Sequence, residues 1–381
     1  MGILRFILAL AVVIAHSSYL YGFKLYGLSF TGPVVSVQTF YMLSGFYMAF
    51  ILSKKYTGRG SYKIFITNRF LRIYPAYWVV LLLTIALSSF SAFKHIFGFT
   101  VQDYIGNKNL LASGTISFLV ITNLFLFGQD MVLFQGVNTN GQLYFTANFQ
   151  ETNPKLFTFM PLPQAWTLSL ELMFYIIAPF FVKRKTHTLL YIMFACLAMR
   201  FYTYFFADLY HDPWPYRFFP AELAFFLAGM VSYRLYLIIS EISINKKIPI
   251  FAAILAVFIT LGFQFIPGGF IKQWLYYGLI LFLMPLLFIF SKTNRLLDGY
   301  IGELSYPIYI SHIFVMLLLS PFLNSIPPSI HISLIVCAAT VIFSMLLVRF
   351  VLTPIEKYRQ ERVKLPASLD GAYVKQPIKI K

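Results

Sequence analysis

Two polar side chains, Arg5 and His16, interrupt the apolar segment RFILALAVVIAH. On a helix they lie on one stripe about 16 Å apart, because eleven residues turn only about 20° past three full turns. Ionisable groups are costly in a bilayer and usually face a bundle interior or an aqueous cavity. The imidazole is therefore a candidate general base, although an interfacial arginine beside a packed core histidine also fits the pattern.

Two further arginines, Arg69 and Arg72, stand three residues apart in the segment TNRFLRIYPAYW. If this segment is helical, their guanidinium groups are neighbours, and paired arginines form a fork-shaped receptor for phosphate. Ordinary anchoring at a membrane face, with the following aromatic residues as an interfacial belt, is the alternative explanation.

An acidic residue, Glu171, lies in the apolar segment PQAWTLSLELMFYIIAP, five residues after Trp166. The helical rise places it about 8 to 10 Å below the outer membrane face, close to the depth expected for His16. A carboxylate that orients an imidazole is a common way to make a general base. A salt bridge to another helix is the competing interpretation.

A second histidine, His312, occurs in the segment GELSYPIYISHIF, with Ser305 and Tyr309 on the same helix face. These residues form either part of a site or a polar seam between helices. Arg217 and Glu222, in the segment YRFFPAELAFFLAGM, are open to the same two interpretations, as site residues or as a structural pair.

The composition identifies the surroundings of these residues. Hydrophobic residues make up 59% of the chain and charged residues 11%, and the mean hydropathy is +0.75, which excludes an ordinary soluble domain. The expected fold is an all-α polytopic membrane protein with about ten transmembrane helices, the first of them retained rather than cleaved. The ten apolar segments lie near residues 3–21, 34–53, 75–93, 165–182, 188–206, 217–238, 248–266, 274–291, 304–321 and 331–353.

The distribution of basic residues gives the expected topology. With ten crossings and a cytoplasmic N-terminus, about twenty cationic residues fall on the inner face and about six on the outer face, as the positive-inside rule requires. A full eleventh crossing at residues 116–128 would reverse this bias. We therefore predict that both termini are cytoplasmic and that this segment is re-entrant, interfacial or one half of a two-way excursion. Residues 1–360 form one membrane domain with a non-spanning outer or re-entrant region at about 94–163, and residues 361–381 form a basic cytoplasmic tail.

The same distribution accounts for the net charge of +17. The basic residues follow one membrane face, where anionic lipids and phosphorylated ligands are present, so membrane lipids are expected partners and nucleic acid is not. Cys196 and Cys337 both lie in apolar segments, which predicts neither a disulfide nor a zinc site. We expect no metal and no tightly bound cofactor.

The motifs resemble, in their order along the chain, the membrane-bound acyltransferase 3 family. The resemblance covers residues 1–360 and rests on Arg5 and His16 at their spacing, followed by FYMLSGF, RFLRIYPAYW, WTLSLELMFYIIAP, RFFPAELAFFLAGM and GELSYPIYISH. No single motif is specific, but the ordered set is. The family consists of bacterial and eukaryotic O-acyltransferases, many of which acetylate surface polysaccharides.

The resemblance implies a membrane O-acetyltransferase that uses cytosolic acyl-coenzyme A, usually acetyl-coenzyme A, as its donor. It implies that His16 is the catalytic centre with support from Arg5, and that Arg69 and Arg72 engage the donor. Glu171 is expected to complete the catalytic group by stabilising the imidazolium. The residues expected around this group are Trp166, Ser305, Tyr309 and His312.

The expected acceptor is a hydroxyl group of a cell-surface or lipid-linked glycan, and the expected location is a bacterial inner membrane. An outer loop with Tyr144, Asn148 and Gln150 suits stacking and hydrogen bonding to sugar rings, although an ordinary interfacial loop can have the same residues. A transporter or flippase for a glycan or a lipid-linked intermediate is the alternative, because intramembrane charges and a cavity would serve it equally. A different class of membrane acyltransferase and a structural or sensory membrane protein are further alternatives.

Overall fold

The computed structural model describes residues 1–21, 28–58, 60–90, 101–323 and 332–363. Nearly all of these residues are helical, as expected for a backbone that must satisfy its own hydrogen bonds inside a bilayer. The predicted basic tail lies outside the described residues from residue 364 onward.

The described α-helices are numbered in chain order. They are α1 (Gly2–Tyr21), α2 (Gly32–Lys54), α3 (Ser61–Ser88), α4 (Val101–Asn107), α5 (Ser113–Phe125), α6 (Trp166–Val182), α7 (Thr186–Phe205), α8 (Trp214–Arg217), α9 (Phe219–Ile239), α10 (Lys247–Gly262), α11 (Gly269–Thr293), α12 (Arg295–Leu323), α13 (Ile332–Leu347) and α14 (Thr353–Glu361). A π-helical turn, Val348–Leu352, joins α13 to α14.

The region between α3 and α6 contains only short elements among the residues described there. Strands β1 (Gln135–Val137) and β2 (Leu143–Phe145) form an antiparallel hairpin in which Gly136 lies opposite Tyr144. The 3-10 turns of the described chain are Lys108–Leu110, Asp130–Phe134, Phe149–Glu151, Leu156–Phe159, Pro163–Ala165 and Phe263–Phe265.

Within the described residues, ten helical stretches are long and apolar enough to cross a membrane, which confirms the predicted fold class and number. The largest differences from the predicted starts are at α3, which begins at Ser61, and at α12, which begins at Arg295. Hydropathy windows end at the first charged residues, whereas the helices continue past them along a polar cavity. Arg69 and Arg72 therefore lie on a helix. The cytoplasmic location of the termini stays a prediction.

The undecided segment near residues 116–128 is mostly α5, a helix of 13 residues that is too short to span. Its last carbonyl groups have no partners within the helix. Side chains from the middle of α3 donate to them: Tyr77 to Asn123, Trp78 to Leu124 at 2.9 Å, and Tyr74 to Phe125. The helix thus ends against α3 with its backbone satisfied, which is what a bilayer requires of a half-length helix.

Helices α2 and α9 approach each other backbone to backbone at two glycines. A Cβ atom on Gly45 would overlap the carbonyl of Phe226, and a Cβ atom on Gly229 would overlap the carbonyl of Met42. Small residues at such positions let transmembrane helices pack closely, and dispersion contacts between helices then stabilise the bundle.

Helices α1 and α12 are joined at their first turns. The carboxylate of Asp298 accepts hydrogen bonds from the backbone N–H groups of Gly2, at 2.8 Å, and Ile3, at 2.9 Å. One turn further along α12, Gly302 faces Gly2 so closely that a side chain on either would overlap the other helix. An acidic group is favourable at a helix N-terminus, so this contact fixes the relative height of the two helices.

We expect Gly229→Ala to lower the free energy of unfolding by about 1–3 kcal/mol, because an added methyl group overpacks the contact with α2. Thermal unfolding in detergent, followed by far-ultraviolet circular dichroism, measures this change. Gly278→Ala in α11 is the matched control, since its Cβ atom meets open space and alanine favours a helix by up to about 1 kcal/mol. Equal melting temperatures for the two variants would contradict the proposed contact.

Candidate active site

A central cavity of about 760 Å³ runs through the bundle between α1, α2, α3, α6, α12 and α14. Lys54 and Arg295 line its basic end, where α2 ends and α12 begins. Thr167 and Tyr309 line its far end. Along α2 the lining residues cover about 27 Å by helical rise, so the cavity extends across most of the membrane thickness.

Three of the four arginines singled out from the sequence, Arg5, Arg69 and Arg72, line this cavity. Arg5 stands over the ring of Tyr47, 5.8 Å from its centroid. Arg69 is only 8% exposed, and its guanidinium lies 5.7 Å and 5.9 Å from the rings of Phe65 and Tyr175. Its Nε atom is buried without a hydrogen-bond partner among the described residues. A buried donor of this kind is costly unless an acceptor enters the cavity.

Glu171 lies among these arginines in the central cavity. Its carboxylate accepts hydrogen bonds from Ser44 Oγ at 2.9 Å and from the hydroxyl of Tyr175 at 2.5 Å, and it acts electrostatically on Arg5 and Arg72. The sequence placed this carboxylate beside His16 by depth alone. The hydrogen bonds place it in the arginine group instead.

Three other acids line the cavity that were not singled out from the sequence, Asp298, Glu303 and Glu356. Glu303 and Glu356 act electrostatically on Arg72. Glu303 was visible in the segment GELSYPIYISHIF, two residues before Ser305. Glu356 follows the apolar part of the last span, and only its place in the fold identifies it.

The two predicted histidines are in contact. His16 Nδ1 lies 2.8 Å from His312 Nε2, and the two ring planes differ by 4°. His312 is fully buried, whereas His16 is partly exposed. The structure therefore joins the first and the ninth crossing at the residues whose chemistry the sequence had singled out independently.

The hydrogen bonds assign the protons of this pair when both rings are neutral. His312 Nδ1 lies 2.6 Å from the carbonyl oxygen of Tyr309, which can only accept, so this nitrogen carries the proton. His312 Nε2 is then an acceptor for the proton on His16 Nδ1. His16 Nε2 in turn has no proton and can accept one, which is the form that a general base requires.

A hydrogen-bonded layer lies at the far end of the cavity, next to the histidine pair. Thr167 Oγ1 donates to the hydroxyl of Tyr309 at 2.8 Å, and this hydroxyl donates to the carbonyl of Gln164 at 2.9 Å. Tyr309 is three residues before His312 on α12. Thr167 and Tyr309 line the cavity, whereas neither histidine is among the described residues that do.

The two remaining predicted site residues have different surroundings. Ser305 lines the cavity and donates to the carbonyl of Gly302 at 2.7 Å. Trp166 is buried at the first turn of α6, and the guanidinium of Arg217 stands 4.4 Å from its ring centroid. Arg217 also acts electrostatically on His16, so Trp166 belongs to the outer surroundings of the histidine pair.

Arg217 and Glu222 do not form the structural pair considered from the sequence. Arg217 makes a bidentate ion pair with Asp212, at 2.5 Å and 2.9 Å. Glu222 is fully buried and pairs with Arg200 at 2.5 Å, with a second hydrogen bond from Gln38. The rotation of α9 directs Glu222 toward α2 and α7, whereas Arg217 lies on the separate short helix α8.

The loop between α5 and α6 shows ordinary loop contacts at two of the residues considered for sugar binding. The side chain of Asn148 accepts from the backbone N–H of Gln150 at 3.1 Å and donates to Glu151 at 2.8 Å, so it caps a 3-10 turn. Tyr144 is 43% exposed on β2. No group of three or more His, Cys, Asp or Glu residues within the described ranges is placed to hold a metal ion.

A comparison with models of protein families identifies the relatives of this chain. The model of the acyltransferase 3 family, described as an acyltransferase domain, matches residues 1–349. The curated proteins and the solved structures gave no match.

We expect Glu222→Gln to lower the free energy of unfolding by about 3–5 kcal/mol, because it leaves the charge of Arg200 buried without its counter-ion. Thermal unfolding in detergent tests this expectation. Glu171→Gln is the comparison, and its cost should be much smaller because the carboxylate faces a polar cavity. A larger loss of unfolding free energy for Glu171→Gln than for Glu222→Gln would contradict the assignment of Glu222 as the structural acid and of Glu171 as the cavity acid.

Proposed function

Because the chain belongs to the acyltransferase 3 family and is thereby a multi-pass membrane acyltransferase, we propose that it transfers an acetyl group from cytosolic acetyl-coenzyme A. The proposed acceptor is a hydroxyl group of a cell-surface or lipid-linked glycan. The proposed location is a bacterial inner membrane.

The observation that carries this proposal is the central cavity, which runs from a basic end to the layer of Thr167 and Tyr309 next to the histidine pair. The donor's phosphates cannot enter hydrocarbon, so they would stay near Arg69 and Arg72, while the uncharged pantetheine arm reaches along the cavity. The unpartnered Nε of Arg69 supports this role, because a phosphate oxygen would satisfy it.

The proposed chemistry uses His16 as the base. His16 Nε2 takes the proton of the acceptor hydroxyl, whose oxygen attacks the thioester carbonyl carbon. The carbon–sulfur bond then breaks, and the coenzyme A thiolate leaves and takes up the proton. His312 positions His16 by holding its tautomer, as a third group does in other nucleophile and base pairs. In the alternative mechanism, His16 is transiently acylated and then passes the acyl group to the acceptor hydroxyl.

The layer of Thr167 and Tyr309 bears on how the two substrates meet. The donor's acetyl group would arrive along the cavity at this layer, where Tyr309 contacts His312 through its backbone carbonyl, and His16 itself is partly exposed. Opening of the layer would bring the thioester to the base. The aromatic surroundings at the outer end, Trp166 and Tyr216, support a sugar ring as acceptor, because amphipathic aromatic rings suit both stacking and hydrogen bonding.

The test is transfer of radiolabelled acetyl from acetyl-coenzyme A to cell-envelope glycan by membranes with matched amounts of folded protein. We expect His16→Ala to lower kcat by about 10²–10⁴-fold, the usual contribution of a general base. His312→Ala should lower kcat by a smaller factor and leave the KM for acetyl-coenzyme A unchanged. His187→Ala, an exposed residue on α7, is the control and should match wild type.

Normal transfer by folded His16→Ala would refute the catalytic role. Wild-type protein that moves glycan across the membrane but transfers no label would instead favour the transporter.

The arginine pair gives a separate prediction. Removing a charge-assisted hydrogen bond costs about 1.5–3 kcal/mol, so Arg69→Gln and Arg72→Gln should each raise the KM for acetyl-coenzyme A by about 10- to 100-fold. Steady-state kinetics measures this. Arg184→Gln removes a charge from an exposed position between α6 and α7 and should change KM less than twofold. Equal effects at all three positions would mean that only the general surface charge matters.

A further inference from the structure

The last described helix, α14, lies beyond the family match, which ends at residue 349. The π-helical turn after α13 precedes it, and π-helical turns are often found at functional sites. Three residues of α14, Glu356, Arg359 and Gln360, line the basic end of the central cavity. Part of the cavity wall is therefore formed by a segment that lies outside the residues matched by the family model.

Contacts with α2 and α3 hold α14 in this position. Arg359 Nε donates to the carbonyl of Asn68 at 2.9 Å, and Lys55 Nζ donates to Gln360 Oε1 at 2.8 Å. Asn68 immediately precedes Arg69, so α14 is attached to the turn of α3 that begins the arginine pair. The position of Arg359 relative to that pair is fixed by backbone contact.

Arg359 is a buried cation at the cavity. It is 6% exposed, and it acts electrostatically together with Arg69 and Arg72. Its Nη1 atom is bonded to Glu356, while its Nη2 atom makes no hydrogen bond within the described part of the chain. Three like charges around one space raise its energy unless anions offset them. Glu356 is the acid bonded to Arg359, and Glu171 and Glu303 act on Arg72. Basic residues still outnumber acidic ones along the cavity lining.

A purely structural role explains part of this arrangement. An Arg–Glu pair three residues apart stabilises a helix modestly, and the bond to Asn68 docks the helix. Neither requirement directs a nearly buried guanidinium into a cavity that already holds two others. An anion with several charges explains this clustering, because it would satisfy all three groups together.

We propose that Arg359 binds a phosphate of the acyl donor together with Arg69 and Arg72, and that Glu356 is the counter-ion that Arg359 exchanges for this phosphate. The inference rests on the proposed function and adds a donor-binding residue from outside the matched domain. The phosphate of an anionic lipid headgroup has the same chemistry, so the test separates these two sources.

The test uses the full-length chain in nanodiscs of phosphatidylcholine, which contain no anionic lipid. Arg359→Gln should weaken coenzyme A binding in calorimetry and raise the KM for acetyl-coenzyme A by about tenfold or more, the effect of one lost charge-assisted bond. Arg362→Gln is the matched control. Arg362 bonds to Thr67 at 2.8 Å and to Asn68 at 3.3 Å, but it does not line the cavity, and its loss should change KM less than twofold.

Two further variants separate charge from packing. Arg359→Lys loses the bond to Asn68 but keeps the charge, and we expect it to recover most of the donor affinity. Glu356→Gln removes the competing counter-ion and should lower KM. With acetyl-pantetheine, a thioester without phosphates, all these variants should match wild type.

Equal KM values for Arg359→Gln and Arg362→Gln would overturn the inference. So would an equal rise in KM for Arg359→Gln when acetyl-pantetheine replaces acetyl-coenzyme A. A rise in KM that occurs only in nanodiscs containing phosphatidylglycerol would assign the phosphate to a lipid headgroup instead. Failure of the proposed function has a different signature. In that case the wild-type protein would transfer no acetyl group, whether or not it bound coenzyme A.

Discussion

The arrangement of this protein depends on the contact between the first turns of α1 and α12. Asp298 binds the first amides of α1, and both helices then run in the same direction. Fourteen residues beyond Gly2 and Asp298, His16 and His312 stand 2.8 Å apart. A slip of one residue would move a histidine by about 1.5 Å and turn it by about 100°. Contact at one membrane face therefore determines the geometry of the pair deep in the bundle.

The central cavity is polar because it is lined by charged side chains, among which basic residues outnumber acidic ones. Glu171 is held aside by Ser44 and Tyr175, so it offsets the arginines without filling the space between them. Buried cations left without such partners would cost several kcal/mol each. An entering anion can then take the place of a carboxylate as the counter-ion of an arginine. The charged side chains that face the cavity along its length include Arg5, Arg69, Arg72, Glu171, Glu303, Glu356 and Arg359.

The sequence was sufficient for the ten crossings, because hydropathy over about 20 residues follows directly from the thickness of the bilayer. It also identified cavity residues such as Arg5 and Arg69, since charges in apolar helices must face inward. It could not identify their partners. Depth along a helix follows from residue count, but the rotation of each helix and its neighbours depend on contacts between distant segments. For this reason Glu171 was predicted to be the partner of His16. In the structure the residue that contacts His16 is His312.

The docking of α5 on α3 has a consequence for how the chain matures in the membrane. Alone in hydrocarbon, α5 would leave its last carbonyl groups unsatisfied, at several kcal/mol each. The hydroxyl and indole groups that satisfy them belong to α3, which is synthesised earlier. A position of α5 within the bilayer would therefore require α3 to be in place first. Insertion would then be a step of tertiary folding rather than of hydropathy-driven translocation.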